Sequence, residues 1–235
     1  QNLIKLGDIQ NDSISIKIKS IKTELEVNKL DNDNESIIPQ GEAELDGAKY
    51  KITDENNNFV NEIEIKNNNC IIENLPFNTY YIQEIEAGKG YNIDENIYEF
   101  EITKENSKVK LYLKNKVIES TITIHKTYDD NLNESNITFN IYNKNNELIR
   151  DITTNEQGIA QVTLPYGTYN IKQVNSTEGY YKSDDITINI DKNDNINLEI
   201  YDKKIEIEVP NTSTNIYRKI IVKIRIIKFL LKMIV

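Results

Sequence analysis

Cysteine and histidine occur once each in the 235 residues, at Cys70 and His125; tryptophan is absent, proline occurs four times and glycine eight. One cysteine rules out a disulfide within the chain, and one cysteine with one histidine rules out most metal clusters and histidine-based triads. So little glycine and proline does not suit a collagen-like or linker-like chain. Positive charge is also scarce: 28 Lys+Arg stand against 38 Asp+Glu, a net charge of −10. That sign repels phosphate backbones, so nucleic acid is not the expected partner. No nucleophile–base pair stands out, and the reading calls for no cofactor, no metal and no enzymatic activity.

What is present is enough hydrophobic residue, 38%, to build a core beside 28% charge. The aromatics are mostly Tyr, 14 against 5 Phe. Tyr and Ile alternating with polar residues favour strands. Period-two runs centre on Leu25–Val27–Lys29, Ala48–Tyr50–Ile52, Ile63–Ile65, Tyr80–Ile82–Glu84, Phe100–Ile102 and Val109–Leu111–Leu113. Turn formers separate them at 31–34, 54–58, 67–69 and 104–107. The pattern resumes at 121–124, Ile137–Phe139–Ile141, Ile159–Gln161, Tyr169–Ile171, Ile186–Ile190 and Ile196–Ile200. Strands at this spacing predict all-β sandwiches, with no helical stripe before residue 216.

The chain repeats itself. Leu75-Pro76-Phe77-Asn78-Thr79-Tyr80-Tyr81-Ile82-Gln83-Glu84 matches Leu164-Pro165-Tyr166-Gly167-Thr168-Tyr169-Asn170-Ile171-Lys172-Gln173 at an offset of 89, which Gly90-Tyr91 and Gly179-Tyr180 keep. Asn115 precedes Lys126 by 11 residues, and Ile18 precedes Lys29 by the same 11. The junction of last strand, connector and first strand thus recurs. It predicts the end of a preceding unit at 1–21, one unit at 22–118, a second at 119–204 and a tail at 205–235. Short connectors without Gly or Pro predict a head-to-tail, semi-rigid arrangement.

The stretch LPFNTYYIQEIEAGKGYNI resembles the segment ending in the E-box of Cna B-type, or SpaA-like, prealbumin-like domains of Gram-positive surface proteins and pilins. LEVNKLD is similar to that family's first strand, KLYLKNK to its last, and GEAELDGAKYKITDENN to its second strand and turn. The resemblance implies tandem prealbumin-like (Ig-like or transthyretin-like) sandwiches. It also implies a chemistry: a first-strand Lys attacks the side chain of a last-strand Asn or Asp to form an intramolecular isopeptide bond, and a middle-strand Glu moves the proton. In the first unit these roles fall on Lys29, Asn115 and Glu84. The alternation agrees, because Lys29 shares a strand face with Leu25 and Val27 and so points into the core. Burial there disfavours the ammonium and frees the lone pair. A partly buried Lys29–Glu84 salt bridge is the plainer alternative.

The second unit departs from the family pattern. Lys126 and Asp202 hold the lysine and acceptor positions, but Gln173 stands where the Glu belongs. A carboxamide donates a hydrogen bond but cannot take and return a proton. The expectation is a degenerate site holding a Lys126–Asp202 ion pair. Cys70 aligns with Ile159 and reads as a small buried hydrophobe. His125 reads as exposed, on the face opposite Lys126. Asp31, Asp33, Glu35 and Glu42 lie at calcium-loop-like intervals, but Ser36 replaces the turn Gly, Pro39 interrupts and strands flank them, so a solvated turn is the reading.

Val209-Pro210-Asn211-Thr212-Ser213 resembles a wall-sorting signal, with Ser213 in place of the usual Gly. Residues 216–235 carry six basic residues and no acid, leaving −16 on the rest. Their uncharged runs are too short for the roughly 20 apolar residues of a span. Together these features imply a non-enzymatic stalk of a Gram-positive cell-wall adhesin, outside the cell. Its partners would be other repeats of the same protein, a sortase, and host matrix or cell surface contacted through a distal region. A sortase-assembled pilin subunit and a module binding host matrix or glycan are the alternatives.

Overall fold

The structure, a computed structural model, describes residues 21–129 and 131–206. The sorting-like motif 209–213, the basic tail and nearly all of 1–21 lie outside the described residues.

Among the described residues every regular element is a strand. The first unit contains β1 (Glu24–Asp31), β2 (Lys49–Asp54), β3 (Phe59–Glu64), β4 (Asn69–Glu73), β5 (Asn78–Glu86), β6 (Ile97–Ile102) and β7 (Lys108–Asn115). The second contains β8 (Glu119–Tyr128), β9 (Leu132–Asn133), β10 (Thr138–Asn143), β11 (Leu148–Thr153), β12 (Ile159–Pro165), β13 (Gly167–Gln173), β14 (Ile186–Ile190) and β15 (Asp194–Asp202). The alternating runs all fall on or beside strands. Three strands carry no such signal: β4 begins in an Asn-rich stretch that reads as a turn, β9 is two residues long, and β11 is almost wholly exposed.

Each unit is two sheets over one core. The first has the orders β4-β1-β7 and β3-β2-β5-β6; the second has β12-β8-β15, with β9 added to β8, and β11-β10-β13-β14. Leu25, Val27, Tyr50, Ile52, Tyr80, Ile82, Phe100 and Leu113 fill the first core, and Ile122, Ile124, Phe139, Ile141, Tyr169, Ile171 and Ile200 the second. Alternation in β1 sends Leu25, Val27, Lys29 and Asp31 inward.

The first and last strands of each unit pair in parallel, β1 with β7 and β8 with β15. This register positions the candidate site. Asp31 stands opposite Asn115, so Asn115 lies one diagonal step from Lys29 on the same inner face. Tyr128 stands opposite Asp202, which gives Lys126 the same relation to Asp202.

The units meet at a small buried cluster of Ala43, Leu45, Tyr91 and Val117, against which Ala87 and Tyr166 pack. Gly90 has φ +78°, and a Cβ there would lie 2.6 Å from the Tyr166 ring, so only glycine admits this contact. Glu42 fastens the joint: its backbone N–H donates to Tyr166 O at 2.8 Å, and its carboxylate accepts from Thr168 N at 3.1 Å and Lys144 Nζ at 3.0 Å.

The loop after β1 differs from the expected solvated turn. Asp31 is fully buried, and its carboxylate accepts from the backbone N–H groups of Asp33 and Asn34, from Gln40 Nε2 and from the Tyr91 hydroxyl. It ties the loop down from inside. Cys70 is half-buried, not fully so, and burial pushes its thiol pKa up. His125 is partly exposed between Glu199 and Asn133.

Candidate functional site

Lys29 reaches the first core from β1, Glu84 from β5 on the facing sheet, and Asn115 from the end of β7. All three are buried. The Lys29 amine donates to Asn115 Oδ1 in a very short contact and to Glu84 Oε1 at 3.0 Å. Asn115 Nδ2 donates to Glu84 Oε2 at 2.6 Å and to Asn92 O at 2.7 Å. Two acceptors on Nδ2 fix the amide, so Oδ1 must face the lysine. Glu84 therefore touches both prospective partners, one with each oxygen. Its Oε2 also accepts from Asp94 N at 2.6 Å, which anchors the carboxylate.

Tyr50 completes the group and was not singled out from sequence. On β2 it is directly opposite Glu84. Its hydroxyl accepts a short hydrogen bond from Lys29 and donates to Glu84 Oε1 at 2.9 Å. Burial, with the charge of Glu84 beside it, pushes the Tyr50 pKa up, so the hydroxyl stays a donor. Burial pulls the Lys29 pKa down, and Glu84 opposes that pull. An amine, a carboxamide and a carboxyl thus meet in a dry core, the set that an amide-forming condensation requires.

The second unit holds its own group. Lys126 and Asp202 are fully buried, with Nζ 3.0 Å from Asp202 Oδ1. Gln173 Nε2 donates to Asp202 Oδ2 at 2.6 Å and to Asn175 O at 2.9 Å, while its Oε1 accepts from Ser183 N and Oγ. Phe139 stands opposite Gln173, where the first unit has Tyr50 opposite Glu84. One further residue was missed from sequence: Glu134, 1% exposed, places Oε2 2.7 Å from Lys126 Nζ. Sequence alone gives it no aligned counterpart, because the connection from Lys126 to Phe139 is 13 residues where that from Lys29 to Tyr50 is 21.

Asp31, Asp33, Glu35 and Glu42 are not brought together: Asp31 serves the loop and Glu42 the joint. Among the described residues no group of His, Cys, Asp and Glu could hold a metal ion.

No curated protein matches this chain. Among solved structures, the Bacillus anthracis TIE protein is similar over 78% of this chain at 28% identity and a TM-score of 0.67; this chain spans 34% of that one. The C-terminal fragment of the pilus adhesin SpaC from Lactobacillus rhamnosus GG shares the fold, with a TM-score of 0.58 at 13% identity, over 80% of this chain and 100% of that one. The SpaA family, described as a prealbumin-like fold domain, matches residues 23–117 and again 120–204. These two matches take in most of the chain, which therefore belongs to the SpaA prealbumin-like fold domain family, in two tandem copies.

Proposed function

We propose that this chain is a load-bearing stalk segment of a Gram-positive cell-surface protein, its first unit closed by an amide between Lys29 and Asn115. The observation that carries the reading is the contact of Lys29 Nζ with Asn115 Oδ1 while Glu84 hydrogen-bonds both side chains. In the proposed step the neutral Lys29 amine attacks Asn115 Cγ. Glu84 takes a proton from the attacking nitrogen and passes it to the departing Nδ2, which leaves as ammonia. Glu84 ends as it began, and no cofactor is consumed. The reaction is a single self-directed turnover, so the chain is a structural protein and not an enzyme.

The parallel register suits the mechanical task. Load arriving at Glu24 runs along β1 to Lys29, crosses to Asn115 at the end of β7, and leaves toward the second unit. Residues 30–114 are bypassed. Family membership and the resemblance of 209–213 to a sorting signal support an extracellular wall location, with further repeats and a sortase as partners.

Intact-mass spectrometry of the whole purified chain, with tandem mass spectrometry of its digest, tests the reading. A Lys29 peptide joined to an Asn115 peptide with loss of one ammonia is expected. Glu84→Gln should restore the two free peptides. A folded wild-type chain whose Lys29 and Asn115 peptides stay separate would overturn the proposal.

A further inference from the structure

Gln173 denies the second unit its proton carrier only if the carrier must come from the facing sheet.

Lys126 is met by two carboxylates, and each is anchored through one oxygen and presents the other. Asp202 Oδ2 accepts from Gln173 and Oδ1 lies 3.0 Å from Nζ. Glu134 Oε1 accepts from Thr177 N at 3.0 Å and Oε2 lies 2.7 Å from Nζ. Among the described residues neither presented oxygen has another hydrogen-bond partner. Among the described residues the Lys126 amine otherwise donates only to Thr127 O at 2.9 Å.

The position of Glu134 is built by the backbone. Thr127 pairs with Asn133 in the β8–β9 ladder, and Glu134 N donates to Lys126 O at 2.9 Å, which sets Glu134 directly beside Lys126. Lys126 N in turn donates to Gly158 O at 2.7 Å. Gly158 has φ +72°, and a Cβ there would lie 2.5 Å from Lys126 O, so this close approach requires glycine. The first unit has no counterpart of β9: Lys29 to Tyr50 is 21 residues, Lys126 to Phe139 is 13. The two units thus differ in a coordinated way. Glu84 becomes Gln173, Tyr50 becomes Phe139, and a carboxyl arrives from the lysine's own sheet at Glu134.

As a static ion cluster this arrangement is poor. Two carboxylates and one ammonium, all buried, leave an unbalanced charge, and desolvation commonly outweighs the attraction of such groups. Condensation removes the Lys and Asp charges together.

We infer that Glu134 is the catalytic acid–base of a second intramolecular amide, formed between Lys126 Nζ and Asp202 Cγ, with Gln173 as the positioning residue that turns Asp202 Oδ1 toward the lysine. The step balances. A proton passes from the ammonium to the Asp202 carboxylate, giving amine and acid. The amine attacks Cγ, Glu134 Oε2 takes a proton from that nitrogen and returns it to the departing hydroxyl, and one water leaves. The inference rests on the chemistry proposed for the first unit but on none of its residues, so the two bonds stand or fall separately.

The same digest of the whole chain reads both sites. The expected result is a Lys126 peptide joined to an Asp202 peptide with loss of one water. Glu134→Gln should slow this link by roughly 10²–10⁴-fold while the Lys29–Asn115 peptides are unaffected. Asp202→Asn should still link, now with loss of one ammonia. Glu134→Asp guards against a folding artefact, because it keeps the carboxyl but withdraws it by one methylene, and should link more slowly than wild type. A wild-type chain with free Lys126 and Asp202 peptides overturns the inference, and so does undiminished linking in a folded Glu134→Gln chain.

Discussion

Asn115 stands one diagonal step from Lys29 across the parallel β1–β7 ladder, opposite Asp31. Asp202 has the same relation to Lys126 across β8–β15. The relation depends on backbone register alone and is indifferent to the amide or acid at the acceptor position. In the proposed chemistry the two units therefore share a nucleophile and an electrophile position, and differ in where the proton-handling group comes from.

Closing an 86-residue loop in the first unit restricts its unfolded ensemble. By the loop-entropy relation used for disulfides this is worth about 4–5 kcal/mol. Glu84→Gln, which leaves the chain unlinked, should lower the unfolding free energy of that unit by about this amount in guanidinium titrations. A change below about 1 kcal/mol would mean that the proposed bond does not constrain the unfolded chain.

Tyr50→Phe reproduces in the first unit what Phe139 already is in the second. It removes the hydroxyl that donates to Glu84 Oε1 at 2.9 Å and touches Lys29. A hydrogen bond to a charged group is worth about 1.5–3 kcal/mol, so about a 10- to 150-fold slower link is expected. Time-resolved intact mass after refolding of unlinked chain measures it.

How far the site was legible follows from what each residue does. Lys29, Glu84 and Asn115 sit on strands whose alternation sends them inward; the 89-residue repeat marks Gln173 as the counterpart of Glu84, and the matching first and last strands mark Lys126 and Asp202. Tyr50 also alternates inward, but a buried Tyr among core residues reads as packing, and its hydroxyl's role depends on being opposite Glu84. Glu134 follows a two-residue strand with no periodic pattern, and the shorter β8–β10 connection hides its alignment. Asp31 read as a turn acid because nothing local announces Tyr91, 60 residues away, as its partner. Edge strand β11 is exposed along nearly its whole length and carries no alternation to detect. Period-two patterns report faces; they do not report which distant side chains share a face.

The joint makes a separate prediction. Gly90→Val would put a side chain into the Tyr166 ring at a backbone conformation that valine does not adopt. The expected cost is about 1–3 kcal/mol, felt at the contact between units and not in either core. The Tyr166 ring signals should move toward free values in NMR spectra while those of Ile52 and Ile124 methyls hold. Unchanged Tyr166 signals would show that the contact does not depend on this glycine.

His125 is the only histidine, so its titration can be read without assignment. Asn133 and then Glu199, hydrogen-bonded to its two ring nitrogens, raise its pKa above 6.5. A raised folded-state value means that the stabilisation is fully present below pH 6.5 and is lost as pH rises through the folded value. The pair is partly exposed, so about 0.2–1 kcal/mol is at stake. An NMR titration should give a midpoint above 6.5 that falls in Glu199→Gln; a midpoint at or below 6.5 contradicts the geometry.

Pulling a single chain by its ends tests the stalk directly. Load along β1 meets Lys29 two residues before the strand ends, and the proposed amide hands it to Asn115, the last residue of β7. Unfolding the first unit of the wild-type chain should then release only the few residues outside the loop. In Glu84→Gln the 86 residue steps from Lys29 to Asn115 become extensible, adding roughly 280–310 Å of contour length. Glu134→Gln should leave the first unit's short release unchanged and lengthen that of the second, whose loop runs from Lys126 to Asp202. A wild-type trace in which both units extend fully would remove the mechanical role, because an unlinked sandwich under tension gives up its whole chain.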